Sequence, residues 1–156
     1  GVNIAGNSNL IWVGKLKAII ANVQHALILA RITSDNRLLF YFTATGLAFL
    51  ASGGGISQVI EMASPLAIDD YIILIGVVSG TTIYFYYNGT LIGTASPIGA
   101  ISAAAATVNL GAHWDNTLFD VSRPLFVGLF ETAFSARQAL EYSRFLDKIF
   151  NLGIGI

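Results

Sequence analysis

The dipeptide Asn88-Gly89 lies between Thr82-Ile83-Tyr84-Phe85-Tyr86-Tyr87 and Thr90-Leu91-Ile92-Gly93-Thr94, and it constrains this chain more than any other stretch. Asn and Gly take the positive φ angles of a type I′ turn at little cost. β-Branched and aromatic residues fill both flanks, so the stretch reads as a tight hairpin. A two-residue turn sets the register: Tyr86 opposite Leu91 and Tyr84 opposite Gly93 on one face, Phe85 opposite Ile92 and Tyr87 opposite Thr90 on the other. Both faces are apolar. One must look into a core, and the other must be covered by a second layer, another subunit or a ligand.

The remainder reads as strands assembled around this hairpin. Residues 1–9, rich in Gly, Asn and Ser, suggest a loop or arm. Strands are expected at residues 10–13 (anchored by Trp12), 27–33, 37–45 (centred on Phe40-Tyr41-Phe42), 47–51, 56–62, 71–78, 107–111 and 125–130. Ser34-Asp35-Asn36 signals a turn, Ser52-Gly53-Gly54-Gly55 a flexible loop, and residues 113–124 a polar loop. Residues 15–21 and 100–106 carry no decisive pattern. The period changes at Phe134. Ser135-Ala136-Arg137-Gln138 fits a capping box, and Phe134 can staple onto Ala139. Tyr142, Phe145, Leu146 and Ile149 recur at helical spacing, and Gly153 suits the stop of a helix over 135–150. Many short strands and one late helix indicate a single all-β domain over residues 1–156, an antiparallel β-sandwich with one C-terminal helix.

Composition bears on what covers the second apolar face. Hydrophobic residues make up 54% and charged residues 11%, against a usual charged share of about a quarter; mean hydropathy is +0.69. So few charges suggest extra surface hidden in an assembly. The apolar runs are too short for a helical membrane span, which needs about 20 residues: residues 71–78 stop at Ser79-Gly80, and residues 18–32 are broken by Asn22, Gln24, His25 and Arg31. A membrane β-barrel has a weaker signal and stays open. A net charge of −1 without basic runs argues against nucleic acid. The absence of cysteine removes disulfides, thiolate metal sites and cysteine nucleophiles. With neither an initiator Met nor a basic-then-apolar leader, the sequence reads as processed, a fragment, or numbered from an internal residue.

The order of the pieces resembles the concanavalin A-like lectin/glucanase superfamily, in particular its laminin G-like branch. The likeness is carried by Asp70-Tyr71-Ile72 through Thr94, by Val108-Asn109-Leu110-Gly111, and by Phe126-Val127-Gly128 running into Ala133-Phe134-Ser135-Ala136-Arg137-Gln138-Ala139. It departs from the family at Gln138, where an acidic residue is usual, at Phe134, where leucine is usual, and at Tyr71, where some members have tryptophan. The resemblance implies a jelly-roll sandwich, and members of this size include carbohydrate-binding modules, adhesion modules and phage structural proteins.

Candidate chemistry is sparse. The glucanase branch uses carboxylates as Glu-x-Asp-x-Glu on one strand, whereas Glu61, Glu131 and Glu141 stand isolated here, so a glycoside hydrolase is disfavoured. His113-Trp114-Asp115-Asn116 is the most polar aromatic cluster; Trp114 could stack on a sugar with Asp115 and Asn116 bonding hydroxyls, or simply pack on the sandwich edge. His25 and His113 suit a metal by ligand type only. Laminin G-like members often bind calcium, and Asp69, Asp70, Asp115, Asn116 and Asp120 are of the right type but form no compact loop motif, so no cofactor is expected. The expectation from sequence is a non-catalytic structural or adhesion module, homo-oligomeric, in a virion as a decoration or fibre-type subunit or in another extracellular assembly. Tyr84, Tyr86, Leu152, Ile154 and Ile156 would form its interface. The alternative is a lectin-like module binding glycan through His113, Trp114, Asp115 and Asn116.

Overall fold

The computed structural model describes residues 2–4, 6–17, 25–43, 46–63, 68–113 and 122–156, by backbone alone at residues 2, 3, 25, 112 and 113. In chain order the described elements are β1 (Val2–Ile4), β2 (Asn7–Leu16), β3 (His25–Thr33), β4 (Asn36–Phe42), β5 (Gly46–Gly53), β6 (Ile56–Ala63), β7 (Tyr71–Ser79), β8 (Thr82–Tyr87), β9 (Thr90–Ala95), β10 (Ala104–His113), β11 (Ser122–Phe130) and α1 (Ala136–Phe150). They form an antiparallel sandwich. One sheet has the order β1-β10-β3-β4-β5-β6 and the other β11-β2-β7-β8-β9, the crossing order of a jelly-roll.

Alternation along the strands sorts side chains into two clusters. Leu10, Trp12 and Leu16 of β2, with Ile72, Leu74 and Val78 of β7, face the opposite sheet. Their neighbours Ile11, Val13, Ile73, Ile75 and Val77 face outward beneath α1. Burial on both faces explains why β7 is a continuous apolar run rather than an alternating one. Between the sheets, Phe40, Phe49 and Phe85 meet with centroids 5.3 to 6.3 Å apart. Phe49 fits because Gly76 lies across from it; a Cβ there would collide with the Phe49 ring.

The hairpin forms as expected at its turn, where Tyr86 pairs with Leu91 and Tyr87 with Thr90. Beyond that the register slips. Phe85 pairs with Gly93 and Tyr84 with Thr94, leaving Ile92 as the extra residue of a bulge. The bulge lets Ile92 pack against the core, and Gly93 offers room for the Ile60 methyl.

Three other expectations change. Part of the supposed N-terminal arm is strand: Val2–Ile4 pairs with β10, Ile4 is buried, and β2 begins at Asn7. Asn9, a loop residue by composition, is fully buried and satisfied: its Oδ1 accepts from the Phe134 N–H at 2.9 Å and its Nδ2 donates to the Thr132 carbonyl. The Gly-rich loop is a tight turn at Gly54-Gly55, with Ser52 and Gly53 already in β5.

The capping box of α1 is present. Ser135 Oγ accepts from the Gln138 N–H, and Gln138 Oε1 accepts from the Ser135 N–H at 2.9 Å. The helix ends at Asn151 in the left-handed conformation, not at Gly153. Its buried side is Ala139, Ser143 and Leu146; the small Ala139 and Ser143 let it lie close to the sheet while Leu146 packs into the cluster beneath it. Phe145 and Ile149, expected on the apolar stripe, are half exposed. After the helix, residues 152–156 turn back over the sheet. The Asp147 carboxylate accepts from the N–H groups of Ile154 and Gly155, each at 3.0 Å, and of Ile156 at 3.5 Å. Desolvation works the other way, but these backbone bonds win and hold its pKa below the ordinary 3.8.

Two predictions follow from this packing. Gly76→Val should destabilise the fold by about 1–3 kcal/mol in urea unfolding, and Phe49→Leu should recover part of the loss; an unchanged midpoint would refute the Gly76–Phe49 fit. Because the folded pKa of Asp147 is depressed, its hold on the tail is complete above the unfolded value of 3.8 and is lost as pH falls through the lower folded value. Protection factors of the amides at 154–156 should therefore collapse in that acid range, and already at neutral pH in Asp147→Asn. Equal protection in the variant would contradict the clasp.

Candidate functional site

A cleft of about 460 Å³ opens where several described strands end together at one end of the five-stranded sheet. Lys15 contributes from the end of β2, Asp70, Tyr71 and Ile72 from the start of β7, Tyr87 and Asn88 from the hairpin, and Leu152 to Ile154 from the tail. Each polar group has a reason for its position. Lys15 and Tyr71 are register partners, and the Lys15 ammonium sits 4.3 Å above the Tyr71 ring centroid, a contact worth about 0.5–2 kcal/mol depending on solvation. Asn88, at φ 47°, extends the β7–β8 ladder. Its N–H donates to the Ile73 carbonyl and its Oδ1 accepts from the Ile73 N–H, both at 2.8 Å. Gly89 must be glycine twice over: its φ is +78°, and a Cβ would press on Leu140 and Ile156.

Burial, and then the charge of Asp70, push the Tyr87 phenol pKa up. The hydroxyl therefore stays protonated at neutral pH and can donate a hydrogen bond. The cleft thus offers two phenol rings, the ammonium of Lys15, the carboxylate of Asp70 and the amide of Asn88. Apolar rings edged by a few fixed polar groups suit a polyhydroxylated ligand, which has apolar C–H faces and hydroxyls in the ring plane.

A second recess of about 260 Å³ shares Lys15 and Tyr71 and is completed by Arg123, Pro124 and Leu125. Arg123 is the register partner of Lys15, and the β2–β11 register shifts just beyond it, between Pro124 and Phe126. A third hollow, of about 410 Å³, lies along α1 over Phe130, Phe134, Tyr142 and Phe145.

The residues expected at an assembly surface come together inside the chain. Tyr86 and Leu152 are buried, and Tyr84, Ile154 and Ile156 are partly buried, all in the cluster beneath α1. The chain's own helix and tail supply the second layer that the hairpin requires. Of the expected glycan-binding group, His113 ends β10 as the register partner of His25, while Trp114, Asp115 and Asn116 lie outside the described residues, as does Asp120. Asp69 and Asp70 are exposed, and among the described residues no three His, Cys, Asp or Glu converge as a metal set. The three glutamates are dispersed: Glu61 on β6, Glu131 after β11, and Glu141 on α1, where it pairs with Arg137 at 2.7 Å. Among the described residues no helix is long and apolar enough to cross a membrane.

Sequence reasoning missed Lys15, Tyr71 and Tyr87 as a group. They lie on three strands, and only the β2–β7 register brings Lys15 onto Tyr71.

Comparison with known proteins bears on the fold. Residues 16–130 match the laminin G-like model of the concanavalin A-like lectin/glucanases superfamily. No curated protein matches the sequence. Among solved structures, a native heptameric SAP-like pentraxin from Limulus polyphemus superposes with a TM-score of 0.69 at 15% identity, covering 91% of this chain and 71% of the pentraxin. Domain 4 of an extracellular arabinanase from Geobacillus stearothermophilus, solved with arabinotriose, gives 0.66 at 12% identity, covering 89% and 67%. The CBM40 of a Ruminococcus gnavus IT-sialidase, bound to α2,3-sialyllactose, gives 0.64 at 11%, covering 88% and 82%. At such identities the likeness shows the fold.

The geometry at Asn88 can be tested directly. Asn88→Ala should cost about 2 kcal/mol, from left-handed strain plus the lost bond to the Ile73 amide, and Asn88→Gly about 1 kcal/mol. Equal losses in urea unfolding would show that the left-handed backbone contributes nothing.

Proposed function

The chain belongs to the concanavalin A-like lectin/glucanase superfamily, and on that premise we propose that it is a non-catalytic carbohydrate-binding module. The observation that carries this reading is the cleft in which Tyr71 and Tyr87 stand among Lys15, Asp70 and Asn88. Such a site binds by ring contact and hydrogen bonding, and asks for no reacting group. The dispersal of Glu61, Glu131 and Glu141 favours binding over hydrolysis, which needs two carboxylates flanking one bond. The relatives solved with arabinotriose and with sialyllactose are saccharide-bound domains of this fold, and an extracellular setting accords with the reading.

A second reading, assembly into a larger particle, draws support from α1, where Phe145 and Ile149 remain 51% and 50% exposed in a chain with few charges. The virion setting gains nothing from the relatives named above.

Calorimetric titration with an oligosaccharide panel separates these readings. Binding at the cleft predicts that Tyr87→Ala weakens affinity about 2- to 10-fold, while Trp114→Ala leaves it unchanged. The opposite pattern would move the site to the loop carrying Trp114. If no saccharide binds, and a concentration-dependent mass is abolished by Phe145→Asp, assembly replaces carbohydrate binding.

A further inference from the structure

We propose that the ligand is an acidic glycan, with its carboxylate or sulfate held between Lys15 and Arg123 and a neutral sugar ring in the larger cleft beside Tyr87. This rests on the carbohydrate-binding reading and adds the chemical class. Lys and Arg together number 8 in the whole chain, yet Arg123 and Lys15 stand directly opposite one another on adjacent strands. Like charges in cross-strand partnership destabilise a sheet. Among the described residues no carboxylate lies within ion-pair distance of either. Lys15 is instead seated over the Tyr71 ring, and Arg123 is exposed on the edge strand. An anion bound between them would turn the repulsion into two charge-assisted contacts, with the guanidinium fork able to grip a carboxylate or sulfate through two parallel N–H bonds.

The surroundings assign the charge to one end of the ligand. The smaller recess holds Arg123, and the larger cleft holds Asp70; Lys15 and Tyr71 line both. A second anion beside Asp70 would be repelled, whereas a neutral ring would find there an acceptor for its hydroxyls. The β-bulge after Pro124 suits this arrangement, since bulges recur where a side chain is re-aimed beside a site. The match is therefore an oligosaccharide in which an acidic residue neighbours a neutral one. A phosphodiester polymer, charged at every unit, does not match.

The test uses hyaluronan hexasaccharide, α2,3-sialyllactose and a 3-sulfated lactose, each beside its neutral counterpart (the carboxyl-reduced hexasaccharide or lactose). At least one acidic member should bind about tenfold or more tightly than its counterpart, with a preference that shrinks as salt rises. Arg123→Gln should erase most of that preference, weakening the acidic member about tenfold and its neutral counterpart much less, and should unfold at the same or a higher urea concentration because it relieves the Lys15 repulsion. Equal affinity for acidic and neutral members would overturn the acidic assignment and leave carbohydrate binding standing. A preference that survives Arg123→Gln would overturn the Lys15–Arg123 seat. Equally tight binding of a single-stranded DNA 20-mer would overturn the selectivity, and no saccharide binding at all would overturn both readings.

Discussion

Strands β2 and β7 are apolar on both sides, so the sheet they centre has to be covered twice. The opposite sheet covers one side through Phe40, Phe42 and Phe49. On the other, Ile11, Val13, Ile73, Ile75 and Val77 are fully buried. At roughly 1.5–3 kcal/mol per buried aliphatic side chain, that layer contributes on the order of 10 kcal/mol, as much as the whole net stability of an ordinary domain. The helix and the returning tail are therefore structural necessities of this sequence. The scarcity of charge, which suggests a buried surface, has an explanation within one chain: much of the second apolar face is covered by Ala139, Leu146 and Leu152.

Local signals were legible wherever a few adjacent residues settle the geometry. Asn88-Gly89 specifies its turn, and Ser135 with Gln138 specifies the helix start. What failed depended on partners far along the chain. Register propagates from the turn only until another element competes, and at Ile92 the pull of the core outweighs regular pairing. Composition misled at the N-terminus for the same reason: Asn9 looks like a loop residue until Thr132 and Phe134 satisfy its amide. Helical periodicity identified the element but only part of its buried side: Leu146 of the stripe is buried and Tyr142 packs on the same cluster, yet Ala139 and Ser143 complete that side while Phe145 and Ile149 stay half exposed.

The cleft was less legible than the fold. Its residues come from four separated stretches, and none is unusual in its own neighbourhood. Tyr71 reads as the first residue of a buried strand, Lys15 falls in a stretch without a decisive pattern, and Asn88 reads as a turn residue. Only antiparallel pairing sets Arg123, Lys15 and Tyr71 in one row. The polar aromatic cluster around Trp114 is a contiguous run that can be read directly from the sequence, whereas the residues of the cleft meet only through strand pairing.

The clasp on the tail has a consequence for how such a cleft could change. Asp147 holds main-chain N–H groups and is indifferent to the side chains they belong to. The tail that closes one wall of the cleft, Leu152 to Ile154, is thus hung on a hook that reads no sequence. Exchanges at residue 154 would reshape that wall while the loop stayed fastened, which separates the part of the chain free to diversify from the part that must be kept.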